Sequence, residues 1–212
     1  MISLDAKACL LIFVRYPEPG KVKTRLIPAL GAQEATFVYK QMAEHTLAQV
    51  RALKLLRSWT TQVWFTGGSK EKMKAWLGEN LNYQIQPKGD LGDRLCYAFQ
   101  DAFKQGNQFV IAIGTDCPSL DTTILHQGFQ ALEHHELILG PATDGGYYLI
   151  GMQRLLPGLF RGIAWSTAEV LQQTVKASEK LGLTLSYLPN LTDVDAPKDL
   201  SIWEQVKANS RR

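Results

Sequence analysis

Short apolar runs alternate along this chain with longer stretches of helical periodicity. Residues 8–14 and 109–113 are continuously apolar, which is typical of strands that are covered on both faces. Further strands are predicted at residues 62–66, 83–86, 137–139, 147–150 and 183–188. The region after position 94 instead places apolar residues three and four apart, as on the buried face of a helix: Leu95, Ala98, Phe99, Ala102 and Phe103.

Helices are predicted between most of these strands. They cover residues 31–56, 70–77, 94–103, 121–134 and 166–180, with a final helix from Pro197. Ser166 and Glu169 have the spacing of a capping box at the start of the fifth helix. Strands that alternate with helices favour right-handed crossovers and a mainly parallel α/β sheet. We find no repeat or linker, so the prediction is a single domain over residues 1–212 with its core at about 8–206.

Composition narrows the class of protein. The chain has 212 residues, 45% hydrophobic and 20% charged, as expected of a globular domain. A net charge of +3 without a basic stripe argues against nucleic acid as a partner. The cysteines are odd in number and lack zinc-site spacing: Cys9, Cys96 and Cys117. With no signal-peptide pattern and no apolar run of membrane length, we expect a cytoplasmic protein without a membrane span.

Acidic turns and one cationic loop are the candidate chemistry. Asp116 lies in the turn 114–118 that directly follows the apolar run 109–113, and the carboxyl end of such a strand faces the crevice where open α/β sheets bind ligands. Asp144 lies in an Asp-Gly-Gly turn, and Asp193 and Asp195 flank one valine. Near the N-terminus a Pro-Gly turn is followed by three cations: Pro19, Gly20, Lys21, Lys23 and Arg25. Clustered acids suggest a divalent cation and clustered bases suggest phosphate, so together they suggest a nucleotide diphosphate held through a metal.

The cationic loop differs from two common phosphate-binding loops. A P-loop requires glycine before its Lys-Thr pair, where this chain has Val22, and a dinucleotide fingerprint requires three glycines. If the loop were extended, alternation would place Lys21, Lys23 and Arg25 on one side, ready for phosphate. A solvated basic turn is the alternative.

Five segments carry a resemblance to a known family. They are FVRYPEPGKVKTRL at 13–26, GTDCP at 114–118, TDGGYYLIG at 143–151, WST at 165–167 and DVD at 193–195. In these motifs the chain resembles small bacterial GT-A-type glycosyltransferases, first described as a domain of unknown function, some of them labelled arsenosugar-biosynthesis glycosyltransferases. The resemblance runs from about residue 8 to residue 200. It implies the nucleotide-diphospho-sugar transferase superfamily and a Rossmann-like three-layer sandwich, with the first strand beside the strand that ends at Asp116.

The resemblance also implies a Mg²⁺ or Mn²⁺ cofactor. Asp116 would hold the ion against the donor's pyrophosphate, and the ion would stabilise the charge that grows on the leaving nucleotide. GT-A enzymes commonly carry Asp-x-Asp where this chain has Asp-Cys-Pro, so Asp193 and Asp195 are candidates for the missing ligand. Helix capping is the alternative explanation for each of these three aspartates.

The remaining candidates concern the acceptor and the nucleotide. Asp144 would bind sugar hydroxyls or activate the acceptor, while a hairpin turn would explain the same residues without a function. The expected acceptor site also contains residues that permit close approach, stack or border the pocket: Gly145, Gly146, Tyr147 and Trp165. Asp93 opens a helix whose free amides could meet a base or phosphate, although a plain N-cap is the simpler interpretation.

Two enzyme classes and one binding module fit this pattern. The first is a metal-dependent glycosyltransferase that takes a nucleotide-sugar donor and a small-molecule acceptor. The alternative is a nucleotidyltransferase that joins a nucleotide monophosphate to a phosphorylated acceptor. A non-catalytic nucleotide-binding module is disfavoured, because a degenerate site tends to lose its acids. A homo-oligomer is compatible with any of the three.

Overall fold

The computed structural model describes residues 7–53 and 59–209. Over these residues the chain forms a seven-stranded sheet in the order β3-β2-β1-β4-β6-β5-β7. The strands are β1 Ala8–Arg15, β2 Thr60–Thr66, β3 Asn82–Ile85, β4 Phe109–Ile113, β5 Leu137–Pro141, β6 Tyr147–Met152 and β7 Leu185–Tyr187. The helices are α1 Ile27–Leu53, α2 Lys70–Leu77, α3 Leu91–Lys104, α4 Thr122–Ala131, α5 Val170–Lys180 and α6 Leu200–Asn209. Three short 3₁₀ turns cover Thr24–Leu26, Pro157–Phe160 and Pro197–Asp199.

The sheet is mainly parallel, as predicted. Strand β1 pairs in parallel with β2 on one side and β4 on the other, and only β6 runs antiparallel to its neighbours. The chain leaves β1 towards one edge of the sheet and leaves β4 towards the other. A topological switch point therefore lies between β1 and β4, and a crevice is expected at their carboxyl ends. The predicted neighbourhood of the first strand and the strand ending at Asp116 is confirmed.

Alternation along each strand divides the core into layers. In β1, Leu10 and Ile12 face the layer covered by α1, α2 and α4, whereas Cys9 and Leu11 face the layer covered by α3 and α5. A third, smaller cluster joins the start and end of the chain: Leu26, Ala35, Val38, Met42, Val194 and Trp203. The three-layer α/β sandwich expected from the resemblance is confirmed.

Several helix boundaries differ from the prediction. Helix α1 begins at Ile27 and is broken at Gly31, whose φ of 77° is outside the helical range. The part of the predicted first helix beyond residue 53 lies outside the described residues. Helix α4 begins after its N-cap Asp121 and ends at Ala131, three residues before the predicted end.

The predicted capping box at Ser166 is wrong. Ser166 has a φ of 65°, and α5 begins at Val170 after Glu169, which makes no side-chain cap. The preceding turn is instead stabilised by Thr167, whose hydroxyl donates to the Ala164 carbonyl at 2.7 Å. A local hydrogen bond of this kind competes with a capping box for the same residues.

No helix within residues 7–53 and 59–209 is both long and apolar enough to cross a membrane.

Candidate functional site

A crevice of about 610 Å³ opens at the carboxyl ends of β1 and β4, at the switch point. It is bounded by the cationic loop, the tip of β4, the ends of β2 and β3, the start of α3 and the segment after β7. The polar and charged side chains that line it are Arg15, Lys21, Lys23, Thr24, Arg25, Tyr39, Thr66, Gln86, Arg94, Thr115, Asp116, Ser166 and Asp195. Five of the predicted site residues therefore meet in one place: Lys21, Lys23, Arg25, Asp116 and Asp195.

Lys23 is the centre of the charge arrangement. Its Nζ lies 2.7 Å from Asp116 Oδ1 and 2.7 Å from Asp195 Oδ1, and its side chain is only 4% exposed. The contact with Asp195 is a hydrogen bond. The contact with Asp116 is an ion pair. Asp116 Oδ1 is buried and has no hydrogen-bond donor in good alignment. The two carboxylates remain about half exposed to the crevice.

Apolar anchors fold the cationic loop around Lys23. Val22 and Leu26 are 5% and 0% exposed and pack into two different core clusters. Between them Lys23 adopts a left-handed conformation with φ 45°, and a 3₁₀ turn begins at the next residue. The predicted extended loop is therefore wrong, since burial of Val22 and Leu26 requires a tight turn. The turn still brings the cations to the crevice.

The other residues of the loop differ in exposure. Lys21 forms an ion pair with Glu18, which lowers the pKa of that carboxyl through a hydrogen bond and direct attraction. Arg25 is 77% exposed and lies 3.6 Å from Asp195 Oδ2. Pro19 and Gly20 form the exposed turn between Glu18 and Lys21 and do not line the crevice, and Gly20 supplies a positive φ of 79°. Their proposed contact with phosphate stays a prediction.

The Asp-Val-Asp segment is held in place by its central residue. Val194 is fully buried against Leu26 and Trp203 in the third cluster. Its backbone N–H donates to the carbonyl of Asp116 at 2.9 Å. Because neighbouring side chains in an extended segment point to opposite sides, burial of Val194 leaves Asp193 and Asp195 on the other side of the segment. Asp195 lines the crevice, whereas Asp193 lies outside its lining.

Asp193 has a raised proton affinity at this point. Burial raises the pKa of Asp193 from 3.8 to about 7, and the charges of Asp116 and Asp144 add to the rise. Lys23 acts in the opposite direction and Asp195 in the same direction, both with smaller effect. The four carboxylates therefore belong to one electrostatic cluster, in which one buried ammonium faces several acids.

Helix capping does not account for the aspartates at the crevice. The N-cap of α4 is Asp121 and not Asp116. Near the C-terminus, Asp199 reaches back and accepts from the N–H groups of Ala196 and Asp195, so Asp195 leaves its own carboxylate for Lys23. Asp93 is likewise not an N-cap, because Asp90 caps α3 and Asp93 completes the capping box at its third position.

Asp144 forms the tight turn between β5 and β6. Its Oδ1 accepts a hydrogen bond from the N–H of Gly146 at 2.8 Å. This bond stabilises the turn, so a structural role in the hairpin explains the aspartate at this position. Gly145 passes so close to the backbone of Ala168 that a Cβ there would lie 2.2 Å from the Ala168 carbonyl oxygen. Asp144 is also exposed and close enough to Asp193 to raise its pKa. The turn and a role in the acid cluster are therefore compatible.

Tyr147 and Trp165 lie beside the crevice, outside its lining. Their rings pack edge to face at 6.5 Å, and both contact the core layer under α3 and α5. Burial raises the pKa of Tyr147. Trp165 covers Gly92 at the start of α3, where a Cβ would be only 2.5 Å from the indole nitrogen. Their direct contact with an acceptor stays a prediction, and this packing favours a supporting position.

Several crevice residues were missed by the sequence reasoning. Tyr39 exchanges hydrogen bonds with the backbone of Arg15, at 2.8 Å and 3.0 Å, and burial near Asp116 raises its pKa to about 12. Gln86 donates to the Trp64 carbonyl, and Arg94 donates to the Gly89 carbonyl. No motif marks Tyr39, whereas Arg94 could have been found from its position just after the α3 cap.

The acids supply hard oxygen ligands, but the described residues do not form a complete metal cage. No group of three or more His, Cys, Asp or Glu side chains within residues 7–53 and 59–209 is arranged to hold a metal ion. Magnesium usually takes only one or two carboxylates and completes its shell with phosphates and water. Asp116, with its buried Oδ1 lacking an aligned donor, and Asp193, in the same acid cluster, fit that requirement.

Comparison with known proteins places the chain in a family. Residues 47–167 match the family described as "Uncharacterized protein conserved in bacteria (DUF2064)", which is more than half of the chain. The chain belongs to this family. A crystal structure from Desulfovibrio desulfuricans G20, of a protein provisionally named a nucleotide-diphospho-sugar transferase, is 37% identical with a TM-score of 0.83. The alignment covers 89% of this chain and 82% of that one. No curated protein matches.

More distant structures share the fold of this DUF2064 member. A 4-diphosphocytidyl-2C-methyl-D-erythritol synthase from Anaerococcus prevotii DSM 20548 is 10% identical, with a TM-score of 0.63 over 99% of this chain and 98% of that chain. Rv0371c from Mycobacterium tuberculosis H37Rv, in complex with manganese, is 13% identical, with a TM-score of 0.57 over 93% of this chain and 97% of that chain. The chain therefore has the fold of nucleotide-diphospho-sugar transferases, and its solved neighbours include transferases of related type.

Proposed function

We propose that this protein is a metal-dependent transferase that takes a nucleotide-activated sugar as its donor and transfers the sugar to a small-molecule acceptor. The observation that carries the proposal is the pairing of Lys23 with Asp116 and Asp195 at the switch-point crevice. Acids and bases that meet at a ligand-binding crevice suit a diphosphate and a divalent cation together. The family relationship to a protein provisionally named a nucleotide-diphospho-sugar transferase supports the same donor class.

The cations of the loop would bind the donor's diphosphate. Lys23 is a compact charge with three donors, and Arg25 presents an exposed guanidinium that can bind two phosphate oxygens at once. Lys21 is exposed on the same lining and is held only by Glu18. These positive charges would stabilise the nucleoside diphosphate as it departs from the sugar.

Asp116 would hold Mg²⁺ or Mn²⁺, and Asp193 or Asp195 beside it would supply the second carboxylate. When bound, the ion supplies Lewis-acid stabilisation of the leaving diphosphate. The protein's part is to keep Asp116 fixed at the tip of β4 and to lock the Asp193 segment to it through the Val194 N–H. A manganese complex of a protein with the same fold is compatible with this assignment.

Asp144 would act on the acceptor side. It is exposed at the β5–β6 turn and belongs electrostatically to the acid cluster, but it is not on the lining shared by the cations. From there its carboxylate would orient an acceptor hydroxyl and take its proton. Gly146 leaves room beside this carboxylate, because a Cβ there would lie 3.2 Å from Asp144 Oδ1, whereas the space at Gly145 is filled by the backbone of Ala168.

The test is a screen for turnover in which purified protein and Mn²⁺ are incubated with nucleotide sugars or with nucleoside triphosphates. Release of a nucleoside diphosphate from a nucleotide sugar supports glycosyl transfer if it is lost in Asp116→Ala and kept in Asp101→Ala, a change on α3 outside the crevice lining. Release of pyrophosphate from a nucleoside triphosphate instead supports the nucleotidyltransferase alternative. Tight nucleotide binding that is unchanged in Asp116→Ala, without turnover, contradicts both.

A further inference from the structure

The position of Lys23 bears on how a metal ion would enter the site. Lys23 Nζ lies between two carboxylates, 2.7 Å from an oxygen of each, and the side chain is almost completely buried. The Lys23 ammonium therefore occupies the position in which these two carboxylates would stabilise a metal cation. An ammonium and a divalent ion cannot share one pair of carboxylate oxygens, because like charges repel strongly in a partly buried site.

We propose that Lys23 competes with the divalent metal for Asp116 and Asp195, and that the donor's diphosphate resolves the competition by drawing the ammonium away. Metal alone then binds weakly, and metal and donor bind cooperatively. The competition presupposes the metal-dependent function proposed above, and adds to it an order of binding and a reason for that order.

The backbone conformation of Lys23 supports a functional role for the position of its side chain. Its φ of 45° is rare for a residue with a side chain, and within the described chain only Ser166, which also lines the crevice, shares a positive φ among non-glycine residues. Such conformations persist where the surroundings over-determine them, commonly at ligand sites. Here Val22 and Leu26 fix the flanks while the ion pairs fix the ammonium.

The exchange of partners follows from the chemistry of the neighbouring groups. In this structure the Lys23 ammonium neutralises part of a cluster that also includes Asp144 and Asp193. A diphosphate entering the crevice offers the ammonium new anionic oxygens, because Lys23 is on the lining. The carboxylates released from Lys23 become available to the ion. By linkage, the factor by which the nucleotide raises metal affinity equals the factor by which the metal raises nucleotide affinity.

The experiment measures Mn²⁺ binding by the loss of the free-ion signal in electron paramagnetic resonance, with and without uridine or guanosine diphosphate. In wild-type protein we expect weak binding of Mn²⁺ alone and clearly tighter binding with nucleotide. In Lys23→Met and Lys23→Gln we expect Mn²⁺ alone to bind at least about ten times more tightly, because the competing charge is gone. The nucleotide should then raise Mn²⁺ affinity much less than in wild type.

Two controls separate this effect from general charge or folding changes. Lys23→Arg keeps the positive charge and should bind Mn²⁺ alone as weakly as wild type. Lys207→Met removes a surface lysine that is ion-paired with Glu204 and should leave Mn²⁺ binding unchanged. Circular dichroism and thermal melts of each variant verify that it is folded, and the use of both Met and Gln guards against a packing defect at one of them.

The outcomes distinguish this inference from the function on which it depends. Equal or weaker binding of Mn²⁺ alone by the two neutral variants overturns the competition, even if wild type binds Mn²⁺ with nucleotide and turns over a donor. Absence of Mn²⁺ binding by wild type in the presence of every nucleotide tested contradicts the proposed metal dependence as well.

Discussion

Asp193 gives a sharp test of the electrostatics of the acid cluster, through the substitution Asp193→Asn. Burial, followed by the charges of Asp116 and Asp144, raises the pKa of this carboxyl from 3.8 to about 7. Proton affinity is therefore higher in the folded state than in the unfolded state. The contribution of Asp193 to stability is therefore fully present below about pH 4, where this carboxyl is protonated in both states, and it is lost as the pH rises through about 7.

The magnitude follows from the size of the rise. At 1.36 kcal/mol per pKa unit, a change from 3.8 to about 7 corresponds to about 4 kcal/mol. Because Asp193 is only partly buried and water screens its charge, we expect about 1 to 3 kcal/mol in practice. Asparagine cannot ionise and resembles the protonated acid, so Asp193→Asn should be more stable than wild type by this amount at pH 8. The two proteins should be nearly equal at pH 4.

The assay is thermal and urea unfolding of both proteins from pH 4 to pH 8 in a metal chelator. For a chain of this length each kcal/mol moves Tm by about 2 to 4 °C, which is readily measured. Asp101→Asn is the control, because this partly exposed carboxyl of α3 accepts a hydrogen bond from Gln105 and lies outside the acid cluster; it should show no comparable pH-dependent gain. A difference between Asp193→Asn and wild type that stays constant over this range, or a loss of stability at pH 8, would refute the reasoning.

Three further substitutions test the scaffold around the site. Val194→Ala should lower the free energy of unfolding in urea by about 1 to 3 kcal/mol, because it deletes fully buried methyl groups. It should also weaken nucleotide binding, and unchanged stability would contradict the role of Val194 as an anchor. Gly145→Ala should destabilise more than Gly106→Ala, since both have positive φ but only at Gly145 does a Cβ meet the backbone of Ala168; equal losses in Tm would exclude that clash. Asp121→Ala should cost about 1 kcal/mol by removing the N-cap of α4 and leave nucleotide binding intact, which a melt and a binding titration verify together.

The parts of the fold that the sequence predicts well are those set by local pattern. Continuous apolar runs mark β1 and β4 because these strands are buried on both faces, and α2 was predicted at the bounds it has in the structure. An acid in the turn after β4 had to lie at the switch point once β1 and β4 were neighbours. The strands themselves follow from periodicity, whereas the pairing of β1 with β4 was implied by the family resemblance.

The parts that could not be predicted depend on contacts distant in sequence. Lys23 and Asp195 are 172 positions apart and meet because Leu26 and Val194 pack in one small cluster at the edge of the core. The left-handed turn at Lys23 also has no local signal, since lysine does not favour it. The capping box predicted at Ser166 was wrong because the spacing of Ser166 and Glu169 fits that motif, while in the structure Thr167 makes a competing hydrogen bond.

The most direct measurement is a crystal structure of the protein with Mn²⁺ and a nucleoside diphosphate, with data collected to locate manganese by its anomalous scattering. We predict a manganese peak beside the Asp116 carboxylate, bridged to the diphosphate, with Lys23 turned towards a phosphate oxygen. A nucleotide bound elsewhere, or manganese absent from the tip of β4 while the nucleotide fills the crevice, would contradict the account.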